Sequence, residues 1–160
     1  MPTNHLRVTK SYRQTIQASP EQVFPLLCPV REKEWLANWH YQILYSESGL
    51  AESGAIFSTP EEDGLQAYWG IVRRDPESGE ISFVKTIPDR SITQLDIQVS
   101  SGEQAQQSWV DIRYCHTSLN KKGDELVKSI TDQVFNKRLK FWEDAMNHFL
   151  ATGAQLQPPI

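Results

Sequence analysis

At 160 residues, with 39% apolar and 22% charged side chains, the chain has the size and composition of one globular domain with a single core. A formal net charge of −4 argues against broad binding of a phosphate backbone, which depends on clustered Lys and Arg, so no nucleic-acid partner is expected. No apolar run approaches the ~20 residues that span a bilayer, and the opening stretch MPTNHLRVTKSY lacks the basic start and apolar core of a secretory signal, so the expected location is the cytoplasm.

From Val8 to Gln17 the β-branched and aromatic residues predict a strand with Val8, Tyr12 and Ile16 on one face. The period then changes at SPEQVF. Ser19 suits an N-cap, Pro20 the first helical position, and Gln22 stands three residues after the cap, as a capping box requires. Pro25 and Pro29 keep the segment short, which predicts a bent pair of small helices running through REKEWLANW. Cys28 and Cys115 lie far apart, outside any CxxC or zinc-like spacing, and read as buried free thiols.

The middle of the chain alternates strands with turn chemistry at SESGLAESG, PEEDG, DPESGE, PDRS and SSGEQAQ, the pattern of an antiparallel meander. Ala67, Trp69 and Ile71 share a face of one strand, and Ile81, Phe83, Lys85 and Ile87 a face of the next. Leu95, Ile97 and Val99 alternate with Gln94, Asp96 and Gln98, and Val110, Ile112, Tyr114 and His116 with Asp111 and Arg113. From about Asp124 to Thr152 the period becomes helical, with Gly153 as C-cap; one continuous helix of that length measures about 40 Å. Its apolar positions cover more than half its circumference, so it should touch something on two sides. The tail 153–160, GAQLQPPI, is expected to be flexible because Pro158 and Pro159 cannot extend a helix.

In this order of elements, and in the segments IQASPEQVFPLL, GIVRRDPESGEISFVK and FWEDAMNHFLATG, the sequence resembles the START-related helix-grip superfamily (SRPBCC), in particular its bacterial branches. That superfamily includes the birch-pollen allergen, steroid-transfer domains, polyketide cyclases and aromatases. The resemblance covers about Val8 to Gly153. It implies an α+β helix-grip fold over a single domain, 1–160: a curved antiparallel sheet of about seven strands wrapped around a long C-terminal helix, with two short helices after the first strand. It also implies a cavity between sheet and helix. Rings in EWLANWHY, above all Trp35 and Trp39, would seal its end or else form plain core.

Around that cavity the expected ligand-binding residues are Trp39, Phe57, Trp69, Phe83, Ile97, Tyr114, Phe135 and Trp142, with His116 as polar anchor and Arg138 as a further polar contact. His116 shares a face with three apolar residues, which suits a ligand anchor or general base and equally a satisfied histidine at a strand end. Arg138 falls inside the apolar arc of the last helix, where an unpaired cation costs several kcal/mol, so it needs either a ligand carboxylate or an exit to solvent or a surface acid. Lys85 poses the same choice. The trio Lys137, Arg138 and Lys140 is flanked by Asp132, Glu143 and Asp144 and reads as a mixed solvated face.

SGLAESG lacks the ending of a phosphate-binding loop, His5, His40 and His148 have no metal spacing, and neither metal nor cofactor is expected. Three functions stand side by side. They are binding, transport or sequestration of a small apolar or aromatic ligand; a cyclase- or dehydratase-like reaction on a polyketide-type or aromatic substrate; and an interaction module whose rings fill its own core. The sequence fixes no catalytic residue and no oligomeric state.

Overall fold

Alternating apolar residues and short turns produce one antiparallel sheet. The computed structural model describes residues 5–159; residues 1–4 of the opening stretch and residue 160 of the tail lie outside the described residues. Among the described residues the strands are β1 (Arg7–Ile16), β2 (Gln42–Tyr45), β3 (Ile56–Pro60), β4 (Gln66–Asp75), β5 (Glu80–Ile87), β6 (Ser91–Ser101) and β7 (Ser108–Ser118). Their order is β1-β7-β6-β5-β4-β3-β2, so the first strand closes one edge beside the last. Register shifts between Ile43 and Tyr45 and between Ile71 and Arg73 add local bends at the β2 side.

The predicted faces hold. Ala67, Trp69 and Ile71 of β4, Ile81, Phe83 and Ile87 of β5, Leu95 and Val99 of β6, and Val110, Ile112, Tyr114 and His116 of β7 are all buried on the inner face.

After β1 the chain enters α1 (Pro20–Val23), a 3-10 turn (Phe24–Leu26) and α2 (Pro29–Trp35). The Ser19 backbone N–H donates to Gln22 Oε1 at 3.2 Å, the return half of the expected capping box. Helix does not continue through LANW, however. Leu36 is already extended, and Asn38 adopts φ 63°, a left-handed conformation that Asn tolerates better than most residues. The chain thus turns sharply and brings Trp39 back over the helix it has just left.

The expected single C-terminal helix is two. They are α3 (Lys121–Ser129) and α4 (Asp132–Thr152), separated by Ile130 with ψ 75° and Thr131 in an extended conformation. Thr131 Oγ1 accepts from the Val134 N–H at 3.2 Å, so a capping residue inside the periodic pattern starts a new helix. Asn120 caps α3 in the same way, accepting from Gly123 N at 2.9 Å. Gly123 packs so closely on the Arg90 carbonyl that a Cβ would collide with it. Gly153 ends α4 at φ 75°, as predicted. Beyond it the described residues form no regular structure, although Leu156 packs against the core and Gln155 Nε2 donates to the Lys33 carbonyl at 2.8 Å.

A polar seam joins α4 to β1. Lys10 Nζ meets Asp132 Oδ1 at 2.6 Å, Gln14 Nε2 donates to the Leu139 carbonyl at 2.9 Å, and Asn147 both accepts from Gln17 N at 2.8 Å and donates to the Thr15 carbonyl at 3.0 Å. Glu143 accepts from the Thr15 N–H and from Lys140 Nζ and is buried, which corrects its reading as part of a solvated face. Backbone groups on a sheet edge invite pairing with another chain; here helix side chains occupy several of them. No helix among the described residues is long and apolar enough to cross a membrane.

Candidate functional site

Between the inner face of the sheet and helices α2, α3 and α4 lies a cavity of about 560 Å³. Its sheet wall is aromatic and internally organised. Phe57 of β3 and Trp69 of β4 stack at 5.5 Å with 7° between planes, and Phe83 of β5 stands edge-on to both at 6.4 and 6.0 Å. Trp69 Nε1 donates to Thr59 Oγ1 at 3.0 Å, which satisfies the indole and fixes its tilt. Farther along the sheet, Tyr114 stacks on His116 at 5.6 Å and meets Phe135 of α4 edge-on at 5.6 Å. Such offset and edge-on contacts are preferred by ring quadrupoles. Among Phe57, Trp69 and Phe83 they hold the rings against the sheet wall, whereas the Tyr114–Phe135 contact bridges from the sheet to α4.

The end of the cavity answers the question raised by the aromatic run. Trp35 is 3% exposed and its Nε1 donates to the Leu26 carbonyl at 3.0 Å; Trp39 Nε1 donates to the Pro29 carbonyl at 2.8 Å. Both rings line the cavity, while Tyr41 stacks behind Trp39 at 6.5 Å and is not part of the wall. All ten residues named from the sequence, Trp39, Phe57, Trp69, Phe83, Ile97, Tyr114, His116, Phe135, Arg138 and Trp142, are brought together on this one surface.

The polar groups resolve differently. His116 Nδ1 and Thr93 Oγ1 are 2.8 Å apart, a cross-strand pair set by the β6–β7 register. Burial, and then the charges of Lys85, Arg138 and Lys10, lower the His116 pKa from 6.5 to about 4, so the imidazole is neutral and a weak base at neutral pH. Lys85 is only partly exposed, pairs with Glu61 at 2.9 Å and lies 4.9 Å from the Trp69 ring centre, the surface-acid outcome. Arg138 is exposed and has no ion-pair partner among the described residues, so its head reaches water at the cavity wall instead of lying buried in the apolar arc. Burial raises the Tyr114 phenol well above its ordinary value; Arg138 opposes this, and Glu32 and Glu61 add to it.

Glu32 is the residue that sequence reasoning missed. It sits on α2, is half-buried, lines the cavity, and among the described residues its carboxyl makes no hydrogen bond or ion pair. Desolvation raises its pKa from 4.5 to about 8, so it carries a proton at neutral pH. The signal was present in REKEWL: Glu32 precedes Trp35 by three positions and Leu36 by four, and therefore shares their inward helical face.

No protein-family model matches the sequence, and no curated protein matches it. Solved structures do match in shape. Norcoclaurine synthase from Thalictrum flavum, in complex with dopamine and hydroxybenzaldehyde, aligns with a TM-score of 0.68 at 10% identity over 92% of this chain and 88% of that one. Ara h 8.0201 aligns at 0.65 and 11% identity over 91% and 99% of the two chains. DynU16, from the dynemicin biosynthetic locus, aligns at 0.58 and 18% identity over 96% of this chain and 49% of its own. With a seven-stranded antiparallel sheet against a long C-terminal helix and short helices after β1, the chain shares the helix-grip fold of these solved structures.

Proposed function

We propose that this protein binds a small, mainly apolar or aromatic molecule in the cavity between sheet and α4, for transport or sequestration. The observation that carries the reading is the open volume of about 560 Å³ beside rings that pack on one another at the walls. That size suits a small ring compound, and the wall is mainly aromatic and aliphatic with charged groups set among the apolar ones, a form that ligand sites commonly take. An open interior also supports ligand binding over a module filled by its own rings. Denaturing extraction of the purified protein followed by mass spectrometry tests the reading: a retained hydrophobic molecule at near-stoichiometric yield supports it. Failure of both extraction and reloading with aromatic compounds speaks against it.

A second reading is a cyclase- or dehydratase-like enzyme working in the same cavity. One observation favours it: a carboxyl, Glu32, stands half-buried on the wall of an aromatic site, where desolvation pushes its pKa up to about 8, into the range of a carboxyl that donates and retrieves protons. His116 is poorly suited to that duty because its proton affinity is low. On this reading a linear poly-β-ketone supplied to the protein returns cyclised or with water lost, and Glu32→Gln abolishes the change. Return of the ketone intact supports binding alone.

A further inference from the structure

Resting on the cavity reading, we infer that the preferred ligand is an apolar or aromatic amine, held as its ammonium form by the Glu32 carboxylate beside the rings of Trp35 and Trp39. Glu32 is a half-buried carboxyl on the wall of an aromatic space, with no hydrogen bond or ion pair among the described residues, and such a group is stabilised by an opposite charge brought into contact with it. Trp35, three positions after Glu32 on α2, and Trp39 line the same cavity, and an indole face within ~6 Å of a bound ammonium would add cation–π attraction.

The charges of the whole cavity favour the same sign. Its charged lining residues are Glu32, Glu61, Glu62, Asp63, Lys85 and Arg138. Lys85 and Glu61 pair at 2.9 Å, which leaves three carboxyls, Glu32, Glu62 and Asp63, against the single cation Arg138. Arg138, Glu62 and Asp63 are exposed, so water screens them, whereas Glu32 is half-buried and, once ionised by a bound ammonium, is the least screened of the three carboxylates. The other titratable groups on the lining are His40, which is exposed, His116, which is neutral, and Tyr114, whose phenol stays protonated.

An ammonium arriving beside Glu32 would displace the carboxyl proton to solvent, since the carboxyl is mostly protonated before binding. The amine keeps its own proton, and no covalent bond is formed.

Calorimetric titration of the intact protein at pH 7 with three probes of one shape, 1-naphthylmethanol, 1-naphthylmethylamine and 1-naphthoate, decides the matter. The expected result is that the amine binds at least ~10-fold more tightly than the alcohol, as one well-placed desolvated charge contact implies. The naphthoate should bind most weakly. Amine binding to the wild type should release close to one proton, read from the heats in buffers of different ionisation enthalpy. In Glu32→Gln, checked for folding by its thermal melt, amine affinity should fall to that of the alcohol and proton release should vanish. An alcohol that binds as well as the amine, or a proton count near zero in the wild type, overturns the amine inference and leaves the cavity reading standing. Failure of all three probes to bind overturns both.

Discussion

Two ionisable side chains on the cavity wall shift in opposite senses, and their effects on stability separate by pH. Glu32 has a folded pKa of about 8 against an ordinary 4.5, so the native chain holds a proton that the unfolded chain has lost across that interval. Its burden on stability is absent below pH 4.5, grows as pH rises and is complete above pH 8. Glu32→Gln should therefore stabilise the protein at pH 8.5 by on the order of 2 kcal/mol, or ~5 °C in Tm, and change little at pH 4. Equal effects at both pH values in thermal melts would contradict the assignment.

His116 works the other way. Its folded pKa of about 4 lies below the ordinary 6.5, so its contribution is complete above pH 6.5 and is lost as pH falls towards 4. The wild type should lose roughly 2–3 kcal/mol from this group between pH 7 and pH 4, and His116→Gln should flatten that part of the profile. The inward aim of His116 was legible from alternation along β7. Its partner Thr93 was not, because a cross-strand neighbour exists only once the register is fixed. Glu32 escaped because a polar residue in a charged run reads as solvated until the helix is known to present Trp35 and Leu36 inward.

At the level of elements, capping and alternation made most of the fold readable. Ser19 and Gln22 marked the helix entry and Gly153 the last exit, and period-two alternation assigned the faces of β4 to β7. The failures share one cause: local signals compete with a strong period. Thr131 restarts the C-terminal helix inside an unbroken apolar rhythm, and Asn38 ends α2's turn within an aromatic run. Treating residues 124–152 as one straight rod also placed Arg138 too deep and Glu143 too far out.

The β1–α4 seam was invisible for a different reason, being a contact between residues about 130 positions apart. It carries its own prediction. Asn147→Leu removes both the acceptor for Gln17 N and the donor to the Thr15 carbonyl, and should cost about 1–3 kcal/mol in urea unfolding. An unchanged midpoint would show that water replaces the seam at no cost.

For the molecule as a whole, a gap remains between the sheet and α4 although Tyr114 and Phe135 touch across it, because Phe57, Trp69 and Phe83 pack on one another within the sheet wall. Enlarging a wall residue should close that gap without undoing the fold. Ile97 is only partly buried and lines the cavity, so Ile97→Trp should abolish ligand uptake at a stability cost of about 1–3 kcal/mol.

Trp35, Trp39, Trp69 and Trp142 line the cavity, which makes tryptophan emission a direct reporter of its contents. The most direct test is energy transfer from these tryptophans to N-phenyl-1-naphthylamine, a neutral aromatic probe, titrated into extracted protein. Saturable transfer at one probe per chain, lost in Ile97→Trp, is the predicted result; transfer that never saturates, or that persists unchanged in the filled variant, would contradict an open ligand-binding interior.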